Sequence, residues 1–107
     1  MSEFDDRKRA QEKGYELSQE LEFKAQARRA RLTGLWAAEL MGLSGDEADA
    51  YAKTVLLADL EEAGEEDLFR KVRADLDLRK VAQSDHQIRG KMAELLDEAR
   101  KQVKAGS

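Results

Sequence analysis

Residues 32–43, LTGLWAAELMGL, hold the densest group of apolar residues in the chain and its only tryptophan, Trp36. Leu32, Trp36 and Leu40 recur at intervals of four, which places them on one face of a helix. A helix with such a broad apolar face needs other elements to cover it. The stretch therefore predicts a helical domain with these residues at the centre of its core.

The composition favours a single all-α domain. The chain has 107 residues, of which 39% are charged and 6% aromatic, and it has no proline. Such a composition is typical of surface helices rather than of sheets. The absence of cysteine excludes disulfides and thiolate zinc sites. A net charge of -4 argues against a nucleic-acid partner, because binding to phosphates depends on clustered cations.

No stretch of the chain has the pattern of a membrane segment. A bilayer-spanning helix needs about 20 consecutive apolar residues, and no run approaches that length. The first residues, MSEFDDRKR, lack the apolar region of a secretory signal. We therefore expect a cytoplasmic protein that does not insert into a membrane.

Capping signals divide the chain into four helices. Gly42 follows the first apolar stripe, and Ser44 with Glu47, then Ser84 with Gln87, match the capping-box pattern at two helix starts. The predicted helices cover about residues 17–41, 45–63, 65–80 and 85–103. Their short connections predict a compact four-helix bundle.

Each predicted helix carries an apolar stripe that we expect to be buried. The stripes consist of Leu21, Ala25, Leu32, Trp36 and Leu40; Ala48, Ala52, Val55, Leu56 and Leu60; Leu68, Phe69, Val72 and Leu76; and Ile88, Met92, Leu95, Leu96, Ala99 and Val103.

Residues 1–18 are predicted to form a mobile arm in front of the four-helix domain, which covers residues 19–107. The first sixteen residues are dominated by charge, with Phe4, Ala10 and Tyr15 as their main apolar side chains. So little apolar surface does not fix a fold on its own. Gly14 disfavours an uninterrupted helix and is a candidate joint. The arm is interpreted either as a solvated tail or as a partner-binding segment.

A cationic stripe precedes the apolar centre. Lys24, Arg28 and Arg31 stand at i, i+4 and i+7, and Arg29 lies beside them. One interpretation is a binding site for an acidic protein surface or for the phosphates of ADP or ATP. The other is a solvated surface paired with nearby glutamates such as Glu20.

An acidic run, Glu61, Glu62, Glu65, Glu66 and Asp67, resembles a metal site only superficially. It lacks the alternating ligands of a calcium loop. The last three carboxylates suit the first turn of the third helix. Because Glu61 and Glu62 lie at a helix end that disfavours anions, we expect them to face a cationic partner. No metal site is predicted.

The chain lacks the residues that an enzyme requires. It has one histidine, His86, in the predicted first turn of the last helix, and it contains no phosphate-binding glycine motif. We therefore predict a non-enzymatic protein with no catalytic residues and no cofactor.

Longer motifs identify a family resemblance. Residues 4–7 (FDDR), 21–42 (LEFKAQARRARLTGLWAAELMG) and 44–76, which begin SGDEADAY and contain DLFRKV, resemble the zeta subunit of the α-proteobacterial F-type ATP synthase. The resemblance covers nearly the whole chain. It implies a protein that inhibits ATP hydrolysis by F1 and is held at the inner membrane only through F1.

The resemblance also implies a mechanism, in which the N-terminal arm enters the catalytic αβ interface of F1 and blocks the central rotor. Phe4, Asp5, Asp6 and Arg7 match the start of the family pattern, and Tyr15 lies in the same arm. We expect these residues, with Glu61 and Glu62, to bind the partner, and we expect a monomer when the protein is free.

The arm departs from the family pattern at several positions. Gln11 replaces an aromatic residue, Gly14 replaces lysine, and residues 17–19 (LSQ) replace a more acidic stretch that contains histidine. An apolar anchor and a helix-favouring residue are thus missing. We expect weaker inhibition than in the strongest members of the family.

Overall fold

The chain folds into four helices and no strands in the residues that the structure describes. The computed structural model describes the backbone of residues 2–60 and 64–106 and the side chains of residues 19–60 and 64–106. The helices are α1 (Ser2–Leu40), α2 (Gly45–Asp59), α3 (Glu66–Leu78) and α4 (Asp85–Lys104). The predicted all-α four-helix architecture is confirmed.

Three helix bounds differ from the prediction, one of them the end of α3, which lies at Leu78 rather than near residue 80. Helix α1 has helical backbone from Ser2 rather than from about residue 17, so it runs continuously across the predicted boundary between arm and domain. Helix α2 ends at Asp59 rather than near residue 63. Its last turn carries no cation, and anionic side chains at a helix C-terminus are unfavourable. The division at residue 18 stays a prediction.

Backbone hydrogen bonds end α1 and α3 in the same way. The Gly42 N–H donates to the Glu39 carbonyl and the Leu43 N–H donates to the Ala38 carbonyl, and Gly42 has a φ of 80°. This is the Schellman motif. Lys80, with a φ of 59°, takes the place of glycine at the end of α3. The predicted stop at Gly42 is confirmed.

The two predicted capping boxes have different outcomes. Ser84 accepts a hydrogen bond from the Gln87 N–H at 3.0 Å, and the Gln87 side chain accepts one from the Ser84 N–H at 2.8 Å. The box at Ser44 and Glu47 does not form, because the Ser44 side chain makes no capping hydrogen bond. Gly45, the first residue of α2, has a φ of 56°, outside the right-handed helical region that a capping box requires.

The buried residues form one main core and one smaller cluster. The main core is lined by Ala30, Ala37, Val55, Leu68, Phe69, Val72, Leu76, Ile88 and Met92. The smaller cluster lies between α1 and α4 and contains Ala25, Ala99 and Val103, with Leu21, Leu32 and Leu96 packed against it. The predicted stripe of α3 is therefore buried throughout.

Small side chains form the most buried face of α1, contrary to the prediction that Leu32, Trp36 and Leu40 form it. Ala30, Gly34 and Ala37 are fully covered, whereas the larger residues are partly buried at the edges of the contact. The reason is the close approach of α2. A Cβ atom built on Gly34 would lie 2.7 Å from the Ala52 Cα.

Leu60 also differs from its predicted place in the apolar stripe of α2. It follows the last residue of the helix, and 55% of its surface is exposed. Leu57, three residues earlier and therefore on the same side of the helix, is also 55% exposed, so no described element covers that side at this end of α2.

The contact at Gly34 generates a prediction on stability. Replacing glycine by alanine inside a helix gains up to about 1 kcal/mol of intrinsic helix propensity. At Gly34 we expect the opposite, a loss of about 1–2 kcal/mol in the free energy of unfolding, because the new methyl group would overlap the α2 backbone. Denaturant unfolding followed by circular dichroism measures this change.

Gly90, inside α4, provides the matched control. A Cβ atom at Gly90 would meet nothing within 4 Å. Gly90→Ala should therefore raise the free energy of unfolding by up to about 1 kcal/mol. Equal effects of the two substitutions would contradict a tight contact at Gly34.

Candidate functional site

A groove runs along α1 between the ends of α2 and α4. It encloses about 680 Å³. Its apolar lining comes from Leu21, Phe23, Ala27, Leu32, Leu56 and Val103, and its polar lining comes from Lys24, Arg28, Arg31 and Gln102, with Gly106 at one end. We call it the basic groove, because its described lining contains three cations and no carboxylate.

The structure brings three of the four predicted cations together in the basic groove. Lys24, Arg28 and Arg31 all line it. Lys24 and Arg31 are exposed, and Arg28 is half-buried. The Lys24 ammonium lies 3.9 Å from a carboxylate oxygen of Glu20, at the outer limit of an ion pair. The groove thus offers positive charge beside apolar surface.

Arg29, the fourth predicted cation, lies elsewhere. Only 3% of its surface is exposed, and it does not line the groove. Its Nη1 donates a hydrogen bond to Glu65 Oε2 at 3.1 Å, which ties α1 to the residue before α3. Its Nε, also buried, has no hydrogen-bond partner among the described residues. Arg29 therefore connects helices, and its guanidinium is covered from solvent.

Asp59, at the end of α2, belongs to the electrostatic environment of Arg29. Burial raises the pKa of the Asp59 carboxyl above its usual range, the positive charge of Arg29 opposes that rise, and the negative charge of Asp67 adds to it. The acidic run around residue 65 thus serves in part as the counter-charge of a buried arginine.

A second ion pair fixes α1 against α4 close to the groove. Arg100 donates two hydrogen bonds to the Glu22 carboxylate, at 2.9 and 2.6 Å. These hydrogen bonds lower the pKa of Glu22 below its ordinary value. Glu22 is thus engaged with α4 and does not line the basic groove, whereas Leu21 and Phe23 on either side of it do.

Sequence reasoning did not single out Phe23. Its side chain is 68% exposed although it is a large aromatic residue. It lies between the ion-paired Glu22 and the cationic Lys24, off the stripe that contains Leu21 and Ala25. Its place off that stripe was the signal in the sequence, since an aromatic residue there has no helix to cover it.

The remaining predicted site residues lie outside the described side chains. Phe4, Asp5, Asp6, Arg7 and Tyr15 belong to the N-terminal part of α1, for which the structure describes the backbone only. Glu61 and Glu62 fall in the gap at residues 61–63. Their predicted contacts with a partner stay predictions.

Three further findings concern the described residues. Across residues 19–60 and 64–106, no group of three or more acidic or histidine side chains is placed to hold a metal ion. Within the same part of the chain, no helix combines the length and apolar content needed to cross a membrane. His86 is exposed in the first turn of α4.

Comparisons with known proteins agree with the helical architecture. The family model described as "ATPase inhibitor subunit zeta" matches residues 1–102. A solution NMR structure is 47% identical in sequence to the chain and superposes with a TM-score of 0.71, covering 81% of this chain and 99% of the other. None of the curated proteins matches the chain.

The buried ion pair of Arg29 predicts an asymmetry between two substitutions. Glu65→Gln should lower the free energy of unfolding by about 1–3 kcal/mol, because it leaves a buried guanidinium without its bonded carboxylate. Arg29→Met should cost less, since Glu65 is exposed enough to be rehydrated and methionine retains the apolar stem. Denaturant unfolding at neutral pH measures both. A larger loss for Arg29→Met would show that Arg29 contributes mainly through other contacts.

Proposed function

We propose that the chain, which belongs to the ATPase inhibitor subunit zeta family, inhibits ATP hydrolysis by inserting residues 1–18 at the catalytic αβ interface of F1. In this proposal the inserted arm obstructs the central rotor, and the domain of residues 19–107 holds the arm in place. The protein contributes no catalytic group of its own. It is cytoplasmic, is a monomer when free, and reaches the inner membrane only as a peripheral component through F1.

The family match carries the inhibitory role, and the arrangement of α1 supports the arm. The buried apolar residues of both clusters lie between Ala25 and Val103. The core that the described side chains form thus lies within the domain of residues 19–107. The arm is joined to that core by a continuous helix, α1. An element with this connection can engage a partner while the bundle stays folded.

The arm is long enough to act as the obstructing segment. Seventeen helical residues before residue 19 extend over about 25 Å at 1.5 Å per residue. Isolated helices of this length are marginal in water, and Gly14 lowers the helix propensity further. Contacts with F1 through Phe4, Asp5, Asp6, Arg7 and Tyr15 must offset the cost of ordering. Residues 11, 14 and 17–19 differ from the family pattern, which makes the favourable contact energy smaller and the inhibition weaker.

Two further carboxylates belong to the proposed interface. Glu61 and Glu62 follow the end of α2, where no basic side chain in the last turn balances their charge. In the proposal they face cationic groups of F1.

Removal of the arm tests this mechanism. A chain that begins at residue 19 should lose most of its inhibition of ATP hydrolysis by purified α-proteobacterial F1, because the obstructing segment is gone. Its bundle should stay folded, since it keeps all the buried apolar residues of the described part of the chain, from Ala25 to Val103. A coupled ATPase assay measures inhibition, and circular dichroism shows whether the truncated protein keeps its helices.

A full-length variant provides the control for that truncation. Phe4→Ala retains the length of the arm but removes its first apolar side chain, so its inhibition should be intermediate. The arm mechanism is wrong if the truncated chain inhibits as strongly as the full chain while both remain folded.

The basic groove favours a second function, a regulator that responds to ADP or ATP. Lys24, Arg28 and Arg31 line one cavity, which could receive phosphates. Arg29 is buried and contributes only through the field of its charge. This function predicts saturable chemical-shift changes centred on residues 24–31 during titration with ATP. The absence of shifts at millimolar ATP would exclude it.

A further inference from the structure

We propose that the basic groove binds an acidic amphipathic helix on the ATP synthase, as a second contact beside the arm. This inference rests on the proposed function, because it assumes that the arm brings the bundle to the enzyme. The groove is a surface separate from the arm, and its partner has a different chemistry. In this inference the bundle increases the affinity for the ATP synthase, whereas the arm obstructs the rotor.

The charge of the groove points to an acidic partner. The chain as a whole has a net charge of -4. Among the described residues, three cations nevertheless line the groove and no carboxylate does. Of the two described carboxylates of α1 beside the groove, Glu20 lies 3.9 Å from the Lys24 ammonium, and Glu22 is held by two hydrogen bonds to Arg100. A patch of positive charge on a protein whose net charge is negative attracts and orients an anionic surface.

The apolar lining indicates that the partner also has an apolar face. Phe23 is 68% exposed at the groove, and Leu21, Leu32 and Leu56 lie along it. Exposed aromatic residues beside cations are typical of the energetic centre of protein interfaces. Burial of Phe23 would remove a large apolar surface from water.

The spacing of the cations fits a helix. Lys24, Arg28 and Arg31 follow one another at i, i+4 and i+7, which spreads their charge over about 10 Å along α1. Carboxylates at the same spacing on a second helix would meet them pair by pair, with apolar residues of that helix resting on Phe23. A nucleotide triphosphate concentrates its charge at one end and would engage fewer of the cations.

The position of the groove matches a second contact. Leu21 and Phe23 lie only a few residues after the proposed arm on the same continuous helix. A partner held by the arm is therefore adjacent to the groove. Two linked contacts bind more tightly than either alone, since the second one forms at a high effective concentration.

Charge reversal in the full chain tests the groove. The variant Lys24→Glu, Arg28→Glu, Arg31→Glu should raise the Kd for purified F1 by about tenfold or more. The control Lys53→Glu, Arg79→Glu, Lys80→Glu makes the same change in net charge at exposed positions outside the groove, and its Kd should stay within about twofold of the unmodified chain. Fluorescence anisotropy of labelled protein measures each Kd.

Phe23→Ala provides a variant that changes no charge. Because Phe23 is mostly exposed, the substitution should leave the thermal midpoint nearly unchanged and raise the Kd by about fivefold or more. It keeps the test decisive if the charge-reversed chain does not fold.

The readouts separate failure of the groove from failure of the arm. The groove variants, at saturating concentration, should still inhibit ATP hydrolysis as fully as the unmodified chain, because their arm is intact. Equal Kd values for the groove variants and the control would overturn the inference and leave the arm mechanism standing. Undiminished inhibition by the chain without residues 1–18 would instead overturn the arm mechanism.

The same kind of measurement can identify two other occupants of the basic groove. Saturable chemical shifts with ATP at residues 24–31, together with release of the protein from F1 by ATP, would assign the groove to a nucleotide. Sedimentation as a dimer that charge reversal converts to a monomer would assign it to a second copy of the chain. Either result would overturn the acidic-helix inference.

Discussion

The close contact of α1 with α2 at Gly34 determines how the bundle is arranged. There is no room for a Cβ atom at this position, since it would lie 2.7 Å from the Ala52 Cα. Two helix backbones that approach so closely exclude large side chains from the contact itself. Leu32 and Trp36 therefore pack at its edges, where Leu32 reaches the cluster shared with α4 and Trp36 reaches the main core. The tight contact on one face thus allows α1 to pack against α4 on another.

The helical rotation between neighbouring residues of α1 gives its cations different roles. Successive helical residues are about 100° apart, so neighbours in sequence point in different directions. Arg29 points into the bundle and binds Glu65, whereas Arg28 lines the basic groove. A run of basic residues that reads as one stripe therefore supplies both a buried link between helices and a charged surface. Glu22, which does not line the groove, likewise links two helices, because its carboxylate binds Arg100 of α4.

The sequence predicted the fold well where the pattern was regular. The strict spacing of Leu68, Val72 and Leu76 predicted the buried face of α3, and the Ser84 capping box predicted the start of α4. It failed where a side chain was absent or where backbone geometry decided the outcome. Hydrophobic periodicity assigns no weight to Gly34, and the S-x-x-E pattern at Ser44 does not reveal the positive φ of Gly45. Lys80 ends α3 in a conformation that usually indicates glycine, so sequence alone placed the end of that helix two residues too late.

The candidate site shows a similar limit of sequence reasoning. Helical spacing placed Lys24, Arg28 and Arg31 on one side of α1, but spacing does not show which apolar residues another helix brings beside them. Leu56 comes from α2 and Val103 from α4, and both join the groove only through the tertiary fold. Phe23 is exposed because it lies off the stripe of Leu21 and Ala25 that packs against α4, and no described helix covers its ring. The bundle thus leaves cations and apolar surface together directly after residues 1–18, at the place where the proposed second contact with the enzyme would form.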